Sequence, residues 1–434
     1  MQWILLIDLP WRYLLLGIVG LLAGGFANYL IYSWAYFPRH ISPWAPPPSP
    51  PGPRTGDATG LPELPALPER RWTDRIPVVG WLGLRREADL HGARFWLRPM
   101  AIEIGCGAAL PLMYRFYTQA GGLLPPELRT VAAIDQFAPW SHSLFIVHGL
   151  LFVLMVAATF IDFDEQTIPD IITLPGTLIA ILFSMLPWRS FLPAVVIWGE
   201  RRSVAETTFN VPWPFDPRWF DTGGLWLALA IWSVWIFALA DRHWVLRRGP
   251  IRAILYLIHG IRRRRESKWL LGLGIAGGCV ITGVWLWGAE AWPGLLTALV
   301  GLAVGGGTVW AVRIVAGYAI GQEAMGFGDV TLMAMIGAFV GWQAAIAGFF
   351  LAPISAILIV LIQYVLTRQP VVPFGPYLCV GTTIAVVGWN TVWNETMARY
   401  VELGSIVFWI LVVALVAMGA MLVVWRQIKR MIFG

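Results

Sequence analysis

Two acidic stretches of this chain border long apolar segments. Asp329 directly follows Gly326-Phe327-Gly328, and Asp162 ends another apolar run, with Asp164 and Asp170 shortly behind it. A carboxylate at or near bilayer depth is costly, so it marks a candidate functional site. Two carboxylates that share a proton and hold a water can hydrolyse a peptide bond, one as general base and the other as general acid. We therefore predict a two-aspartate protease site, which requires Asp162 and Asp329 to meet in space.

Each acidic stretch also has a plainer interpretation. An Asp that follows Gly and precedes an apolar run, as Asp329 does, is a common helix start. Asp162, Asp164 and Glu165 fit an ordinary solvated acidic loop, and Asp170 fits a cap on the next helix. A pair of facing acids also suits an ion- or proton-coupled membrane transporter. The residues alone therefore leave a protease and a transporter both open.

The composition predicts an all-α, polytopic helical membrane protein. The 434 residues are 58% hydrophobic and only 13% charged, whereas a soluble domain is about 25% charged. The apolar runs have the length of membrane spans and predict about 10–11 transmembrane helices. The net charge of +6 comes from basic residues in loops beside apolar runs, which is the positive-inside pattern. This distribution argues against nucleic acid as a partner and indicates the lipid bilayer instead.

The three cysteines predict no disulfide framework and no metal site. Cys106, Cys279 and Cys379 each lie within an apolar segment, and no two are spaced as CxxC. Cysteine zinc sites and disulfide scaffolds need such paired or clustered spacings. We interpret the three residues as small buried apolar side chains.

The apolar runs and charge clusters predict five parts of the chain. These are a first transmembrane helix (residues 1–33), a cytoplasmic proline-rich linker with a short ordered segment (34–98), a membrane core with Asp162 (99–187), an insertion with an extracytoplasmic loop, an extra helix and a basic cytoplasmic loop (188–268), and a membrane core with Asp329 and the C-terminal helices (269–434). Counting the crossings from the first cytoplasmic loop places Asp162 and Asp329 on the same, cytoplasmic face.

Several segments together resemble one known family. They are Asp74-Arg75-Ile76-Pro77, Arg98-Pro99-Met100-Ala101-Ile102-Glu103, Ile168-Pro169-Asp170, Gly326-Phe327-Gly328-Asp329-Val330 and Pro373-Phe374-Gly375-Pro376. This set resembles the prepilin peptidases of the type IV leader peptidase family, which are integral-membrane aspartyl proteases with a GxGD motif. The presenilin-like proteases also carry GxGD, but the residues around Asp162 fit them less well.

The resemblance implies a function and a set of site residues. Asp162 and Asp329 would be the catalytic pair, Gly326 and Gly328 would shape the turn, and Asp164 and Asp170 are second-rank candidates. The implied activity is cleavage of the leader of prepilin or pseudopilin precursors, in type IV pilus assembly and protein secretion, at the cytoplasmic face of the inner membrane.

Two departures from the family's pattern bear on cofactors. The cytoplasmic segment lacks the family's usual two CxxC pairs, so no metal is expected there, and the chain between Asp162 and Asp329 is longer than usual. The resemblance implies no cofactor for proteolysis. It implies S-adenosylmethionine only if the family's N-methyltransferase activity is retained, which the missing cysteines leave open.

Overall fold

The computed structural model describes residues 7–44, 70–186, 190–198, 201–210, 215–239, 265–323, 325–367, 373–401 and 403–433. The proline-rich stretch of the predicted linker and nearly all of the predicted basic loop lie outside these residues. The five-part division of the chain therefore stays a prediction.

Helices dominate the described part of the chain. The N-terminal part holds α1 (Leu9–Ser33), α2 (Val79–Gly83), α3 (Ala88–His91), α4 (Leu97–Tyr114), α5 (Val131–Glu165) and α6 (Asp170–Met185). The C-terminal part holds α7 (Thr222–Leu239), α8 (Arg265–Trp287), α9 (Trp292–Ile320), α10 (Phe327–Thr367), α11 (Gly375–Val387), α12 (Ala398–Val401) and α13 (Ser405–Phe433). Shorter turns of 3₁₀ or π geometry lie at Trp72–Arg75, Leu84–Glu87, Arg115–Gln119, Pro126–Leu128, Pro217–Phe220 and Asn390–Met397.

The prediction of an all-α, multi-pass membrane protein is confirmed. Within the described ranges, seven helices are long and apolar enough to span a membrane, namely α1, α5, α7, α8, α9, α10 and α13, and the shorter apolar helices are α6 and α11. The sequence predicted 10–11 spans, and the difference lies mainly in short or interrupted segments. Gly341 (φ 81°, ψ 165°) breaks α10 into two helical pieces, because only Gly adopts such a backbone conformation readily.

Glycines allow the closest helix contacts. A Cβ added at Gly301 of α9 would lie 2.0 Å from the carbonyl oxygen of Gly337 in α10, and the reverse substitution meets Gly301 at the same distance. In lipid, where the hydrophobic effect does not drive helices together, small residues permit the backbone approach that gives dispersion contacts. This close packing on α9 therefore fixes the position of α10, the helix whose first turn carries Asp329.

A β-hairpin in the predicted insertion was missed by the sequence analysis, which treated this region as an extracytoplasmic loop. Strands β1 (Pro193–Trp198) and β2 (Arg201–Glu206) pair antiparallel, with Pro193 opposite Glu206. Indole donors fasten the region to the helices: Trp389 Nε1 donates to the Pro193 carbonyl at 2.6 Å and Trp140 Nε1 to the Phe191 carbonyl at 3.1 Å. The register of a short hairpin depends on such contacts with distant helices, which the local pattern does not contain.

The short polar segment that follows the proline-rich stretch is ordered, as predicted, and ion pairs hold it together. Arg70 contacts the Glu87 carboxylate with two nitrogens, at 3.0 and 3.1 Å, and also donates to the Ser42 carbonyl at 2.6 Å. Arg86 Nη1 donates to Asp74 Oδ1 at 3.0 Å. Arg70 therefore joins the chain before the undescribed residues 45–69 to the chain after them.

The Asp74 ion pair predicts acid sensitivity of this segment. Burial acts to raise the Asp74 pKa, but the hydrogen bonds from Arg86 and the Arg71 backbone outweigh it and hold the pKa below its ordinary value. A lowered native pKa contributes stability that is present above the unfolded-state pKa of about 3.9 and is lost as pH falls through the native pKa. We expect hydrogen–deuterium exchange, corrected for its intrinsic pH dependence, to show lost protection of residues 72–87 below about pH 4.

Asp89→Asn changes an exposed acid of the same segment and is the control, because it leaves the Asp74–Arg86 pair in place. Asp74→Asn removes the titrating group. The protection from hydrogen exchange that residues 72–87 keep in this variant should therefore no longer depend on pH near and below about pH 4. Equal acid sensitivity of Asp74→Asn and the unmodified protein would contradict the assignment.

Candidate active site

The end of α5 positions Asp162. The helix closes at Gln166, whose left-handed backbone (φ 55°, ψ 30°) lets its N–H donate to the Asp162 carbonyl at 2.9 Å. The chain then runs extended through Pro169, where Pro disfavours a continuing helix, and α6 begins at Asp170. Asp162 thus lies in the last turn of α5, with its side chain only 4% exposed.

The start of α10 positions Asp329. The helix begins at Phe327, so Asp329 is in its first turn, and its carboxylate accepts a hydrogen bond from the backbone N–H of Gly326. The free N–H groups of a first turn favour a negative charge there. The Asp329 side chain is 6% exposed, so it is sheltered nearly as well as Asp162.

The structure brings Asp162 and Asp329 close enough for the charge of Asp162 to act on Asp329, although 166 residues of sequence lie between them. Ile168 lies between their segments: a Cβ added at Gly328 would fall 2.8 Å from both the Ile168 backbone nitrogen and its carbonyl oxygen. The segment after α5 therefore packs directly on the glycine that precedes Asp329. The predicted meeting of the two acidic stretches occurs in the structure at one end of the helix bundle.

A third segment, the start of α11, completes the site. The backbone N–H of Gly375 donates to Asp162 Oδ2 at 3.0 Å. A Cβ at Gly375 would lie 2.6 Å from that same oxygen and 2.8 Å from Ile168 Cδ1. The site thus needs glycine here. The sequence analysis quoted Gly375 only as part of a family segment and gave it no role.

Arg313 of α9 was also missed by the sequence analysis. Its Nε donates to the Met325 carbonyl at 2.9 Å, its Nη2 pairs with Glu323 at 2.5 Å, and its charge acts on Asp329. The guanidinium thus fixes the loop that leads into α10. An arginine inside an apolar run indicates a functional site in a membrane protein. The position of Arg313 within the apolar sequence of α9 could therefore have identified it.

The second-rank candidates Asp164 and Asp170 differ from the acid pair in their contacts and position: Asp164 pairs with arginines and Asp170 begins α6. Asp164 Oδ1 accepts from Arg98 Nη1 at 2.7 Å, and its other oxygen lies 3.5 Å from Arg39. Asp170 is the first residue of α6 and is partly exposed. The acidic stretch is not a simple solvated loop, because Glu165 also accepts the backbone N–H groups of Tyr36 and Phe37.

Arg98 ties α4 to the end of α5 on both sides of Asp162. Its Nη2 donates to the Phe160 carbonyl at 3.0 Å, its Nη1 binds Asp164, and its guanidinium lies 4.8 Å from the centre of the Phe160 ring. Arginine is suited to this role because its planar donors bind a carboxylate and a carbonyl at once. Arg98 is thereby a positioning residue for the helix end that carries Asp162.

Replacing Arg98 by Ala is expected to lower the kcat of the reaction predicted for the acid pair about tenfold with little change in KM, since small displacements of a reacting group are costly. Asp164→Ala should give a similar loss, and the double variant should lose no more than either single variant. Arg85→Ala is the control, because Arg85 is exposed and stacks on Trp96. A wild-type kcat for Arg98→Ala would contradict the positioning role.

Within the described ranges, no group of three or more His, Cys, Asp or Glu side chains is placed to hold a metal ion. The arrangement at the acid pair instead offers two sheltered carboxylates, the backbone N–H donors of Gly326 and Gly375, and a nearby guanidinium. Such a set can hold a water and exchange protons with it. The fold and this site together define a multi-pass membrane protein with a buried aspartate pair at one end of its bundle.

Comparison with known proteins identifies the family. The model of the type IV leader peptidase family matches residues 251–361. A prepilin leader peptidase/N-methyltransferase of Dickeya chrysanthemi is 30% identical over 329 residues, which cover 74% of this chain and 72% of that protein. The chain therefore belongs to the type IV leader peptidase family, as the sequence analysis predicted.

Shorter matches give the same family. Proteins of the same name from Pectobacterium carotovorum subsp. carotovorum and Pseudomonas putida are each 33% identical, over 93 and 112 residues. These matches cover 21% and 24% of this chain, and 33% and 38% of the two proteins. No solved structure matches the chain.

Proposed function

We propose that this protein is a membrane aspartyl endopeptidase that cleaves the leader of type IV prepilin or pseudopilin precursors. The observation that carries the proposal is the packing of the Asp162 and Asp329 segments on each other through Ile168, Gly328 and Gly375, which brings the two carboxyl groups close enough for the charge of one to act on the other. Membership of the type IV leader peptidase family supports the same activity.

The proposed reaction uses one shared proton. Like charges held close together disfavour double ionisation, so one carboxyl stays protonated while the other is ionised. The ionised carboxylate removes a proton from the attacking water. The protonated carboxyl donates its proton to the scissile carbonyl oxygen as the water oxygen bonds to the carbonyl carbon. The proton taken from the water then passes to the leaving amine as the C–N bond breaks, and a hydroxyl proton of the tetrahedral intermediate returns to the other carboxylate. The Gly375 N–H, which binds Asp162 Oδ2, orients that carboxyl group throughout.

We place the site at the cytoplasmic face of the inner membrane. Arg39 and Arg98 lie at the same end of the bundle as the acid pair, through their contacts with Asp164. The chain also ends in a basic cluster after the last apolar run, at Arg426, Lys429 and Arg430. Basic residues beside membrane spans favour the cytoplasmic side, where a basic leader would also be available.

The proposed proteolysis uses only the protein's carboxyl groups and water, so it requires no cofactor. The names of the relatives also include N-methyltransferase. A second activity of that kind in this chain would need a methyl donor such as S-adenosylmethionine, and it would act on the new N-terminus after cleavage.

Co-expression with a prepilin tests the proposal. A peptidase releases the leader and increases the mobility of the precursor on a denaturing gel, whereas an ion- or proton-coupled transporter leaves it unchanged. Mass spectrometry of the processed N-terminus then reports the cleaved bond and any added methyl group. An unprocessed precursor, in membranes that contain the folded protein, would contradict the proposal.

A further inference from the structure

A cavity of about 440 Å³ lies between α1, α4 and the ordered segment that begins at residue 70. Its volume is within the range of about 300–1,000 Å³ that small-molecule sites occupy. No residue of the acid-pair site lines it, so its chemistry must be considered separately.

The α1 wall of this cavity reaches the depth of the lipid chains. α1 is long and apolar enough to span a membrane, and its side of the cavity is formed by Leu22, Gly25, Phe26 and Tyr29. Leu22 lies 11 residues before Ser33, the last residue of α1, a distance of about 16 Å at the rise of an α-helix. Both Leu22 and Phe26 are exposed. A ligand can therefore enter the cavity sideways from the bilayer.

The opposite wall belongs to the ordered segment, which has the surface of an element that rests on a membrane. Large apolar side chains are exposed along it at intervals of three or four residues, at Trp72, Ile76, Val79 and Leu82. The same segment also exposes Arg71, Arg75 and Arg85. Exposed apolar groups beside basic ones bind a bilayer at its interface, where the apolar groups enter the lipid and the charges meet the phosphates. The segment therefore lies at the bilayer surface, next to the headgroups.

A buried carboxylate borders the cavity. Glu103 is 3% exposed. Its oxygens accept hydrogen bonds from Trp81 Nε1 at 2.8 Å, Asn28 Nδ2 at 3.2 Å and the Val78 N–H at 2.5 Å. All three donors are neutral, and within the described ranges Glu103 forms no ion pair. A carboxylate fixed by neutral donors keeps its negative potential, and that potential attracts a cation.

Backbone strain accompanies the hydrogen bond from Val78 to this carboxylate. The backbone of Val78 is left-handed (φ 65°, ψ −57°), which is a genuine outlier for a β-branched residue. The N–H of Val79 donates to the Pro77 carbonyl at 2.7 Å, so residues 77–79 form a γ-turn of the rare, strained kind. Such strain persists where the surroundings over-determine it, and it is concentrated at functional sites. The turn thus holds the Glu103 carboxylate in a fixed position beside the cavity.

A guanidinium provides the opposite charge. Arg75 lines the cavity, is exposed, and lies 5.3 Å from the centre of the Trp44 ring. Arginine donors match phosphate oxygens in geometry. The cavity is also lined by Tyr29 and Trp81, and these are the residue types that prefer the headgroup level of a bilayer. The cavity thus combines a buried carboxylate, an exposed guanidinium and an apolar wall within the membrane.

We propose that this cavity binds phosphatidylethanolamine, a phospholipid with a primary-amine headgroup, which enters from the bilayer. The lipid ammonium binds Glu103, the phosphate binds Arg75, and an acyl chain lies along the exposed side of α1. Glu103 is the acid available to the amine, because Asp74, which also lines the cavity, is paired with Arg86. The bound lipid joins α1, α4 and the ordered segment, away from the acid pair, so the inference does not depend on the proposed proteolysis.

Native mass spectrometry of the full-length protein in detergent tests the inference, with three phospholipids of identical acyl chains as probes. Phosphatidylglycerol has no ammonium group, and phosphatidylcholine has an ammonium group without N–H donors. We expect the first phosphatidylethanolamine to bind about tenfold more tightly than either, since a hydrogen bond to a charged group contributes about that much.

Two substitutions separate the contacts of the ammonium and the phosphate. Glu103→Gln removes the charge that selects the ammonium, so this variant should bind the three lipids with similar affinity. Arg75→Ala should weaken all three about tenfold and keep the preference, since each lipid carries the phosphate. Arg94→Ala, at an exposed arginine outside the cavity, is the matched control and should bind as the unmodified protein does.

A third substitution fills the cavity without removing a hydrogen bond. A Cβ added at Gly25 would lie 3.5 Å from Glu103 Oε1, so the larger side chain of Gly25→Leu occupies the space in front of the carboxylate. This variant should also lose the preference for phosphatidylethanolamine. Melting temperatures measured without added lipid show which variants keep the fold, and Gly25→Leu decides the test if Glu103→Gln unfolds.

Equal binding of the three lipids by the unmodified protein overturns the inference, and so does an unchanged preference in folded Gly25→Leu or Glu103→Gln. Displacement of the bound lipid by an equal concentration of glycerophosphoethanolamine also overturns it, because the soluble headgroup alone would then be the ligand.

Discussion

Asn in place of either Asp162 or Asp329 is expected to lower the rate of leader cleavage by about 10²- to 10⁴-fold, the range that general acid–base groups contribute. Asn has nearly the shape of Asp but neither takes a proton from water nor donates one as an acid. The two side chains act as one unit, so the double variant should be no slower than the slower single variant. The measurement is the initial rate of cleavage of a purified prepilin by the protein in detergent.

The control for these variants is Asp135→Asn. Asp135 lies in α5 like Asp162, but it is exposed and near the opposite end of the helix. The same chemical change there should leave the rate unaltered. Substantial cleavage by Asp162→Asn or Asp329→Asn, at normal protein levels in the membrane, would remove both residues from the proposed mechanism.

The two glycines of the GxGD motif are expected to respond differently to Ala. A Cβ at Gly328 would lie 2.8 Å from two backbone atoms of Ile168, and backbone cannot move away as a flexible side chain can. A Cβ at Gly326 would meet Asp329 Oδ2 at 3.7 Å, which is an ordinary contact. Gly328→Ala should therefore separate the two acidic segments and lower cleavage about 100-fold, since displacements near 1 Å cost that much.

Gly326→Ala is the matched control in this pair and should retain cleavage within about threefold of the unmodified rate, because surface-compatible Ala substitutions change stability by at most about 0.5 kcal/mol. Rates for both variants are compared with their melting temperatures, which separates loss of the site from loss of the fold. Equal tolerance of both substitutions would show that Ile168 does not pack on Gly328 in the active protein.

The features that the sequence predicted are those that depend on apolar runs and local motifs. The α1 and α5 spans and the ordered segment around Asp74 each leave a local pattern of hydropathy or charge. The family followed from several short segments together. The meeting of Asp162 and Asp329 required one further argument, the count of membrane crossings, which places both acids at one face.

The remaining features depend on contacts between distant parts of the chain. Gly375 serves the site through its backbone N–H, and nothing in its side chain marks that role. The hairpin is held by indoles of Trp140 and Trp389, which are remote in sequence. Long-range contacts of this kind override local propensity. Among the described residues, seven helices are long and apolar enough to cross a membrane, against the predicted 10–11, partly because α6 and α11 are shorter than the usual crossing.

The contact of Arg70 with Ser42 determines how the protein should tolerate insertions and deletions between residues 45 and 69. Because its guanidinium holds the carbonyl of Ser42, the two points between which residues 45–69 run are fixed relative to one another. Doubling the number of residues in a flexible connection between fixed ends costs only about 0.6 kcal/mol of closure entropy. Insertions and deletions within residues 45–69 should thus leave the Arg70–Ser42 contact and the acid pair undisturbed, so this stretch is the place to add an affinity tag or a fluorescent reporter.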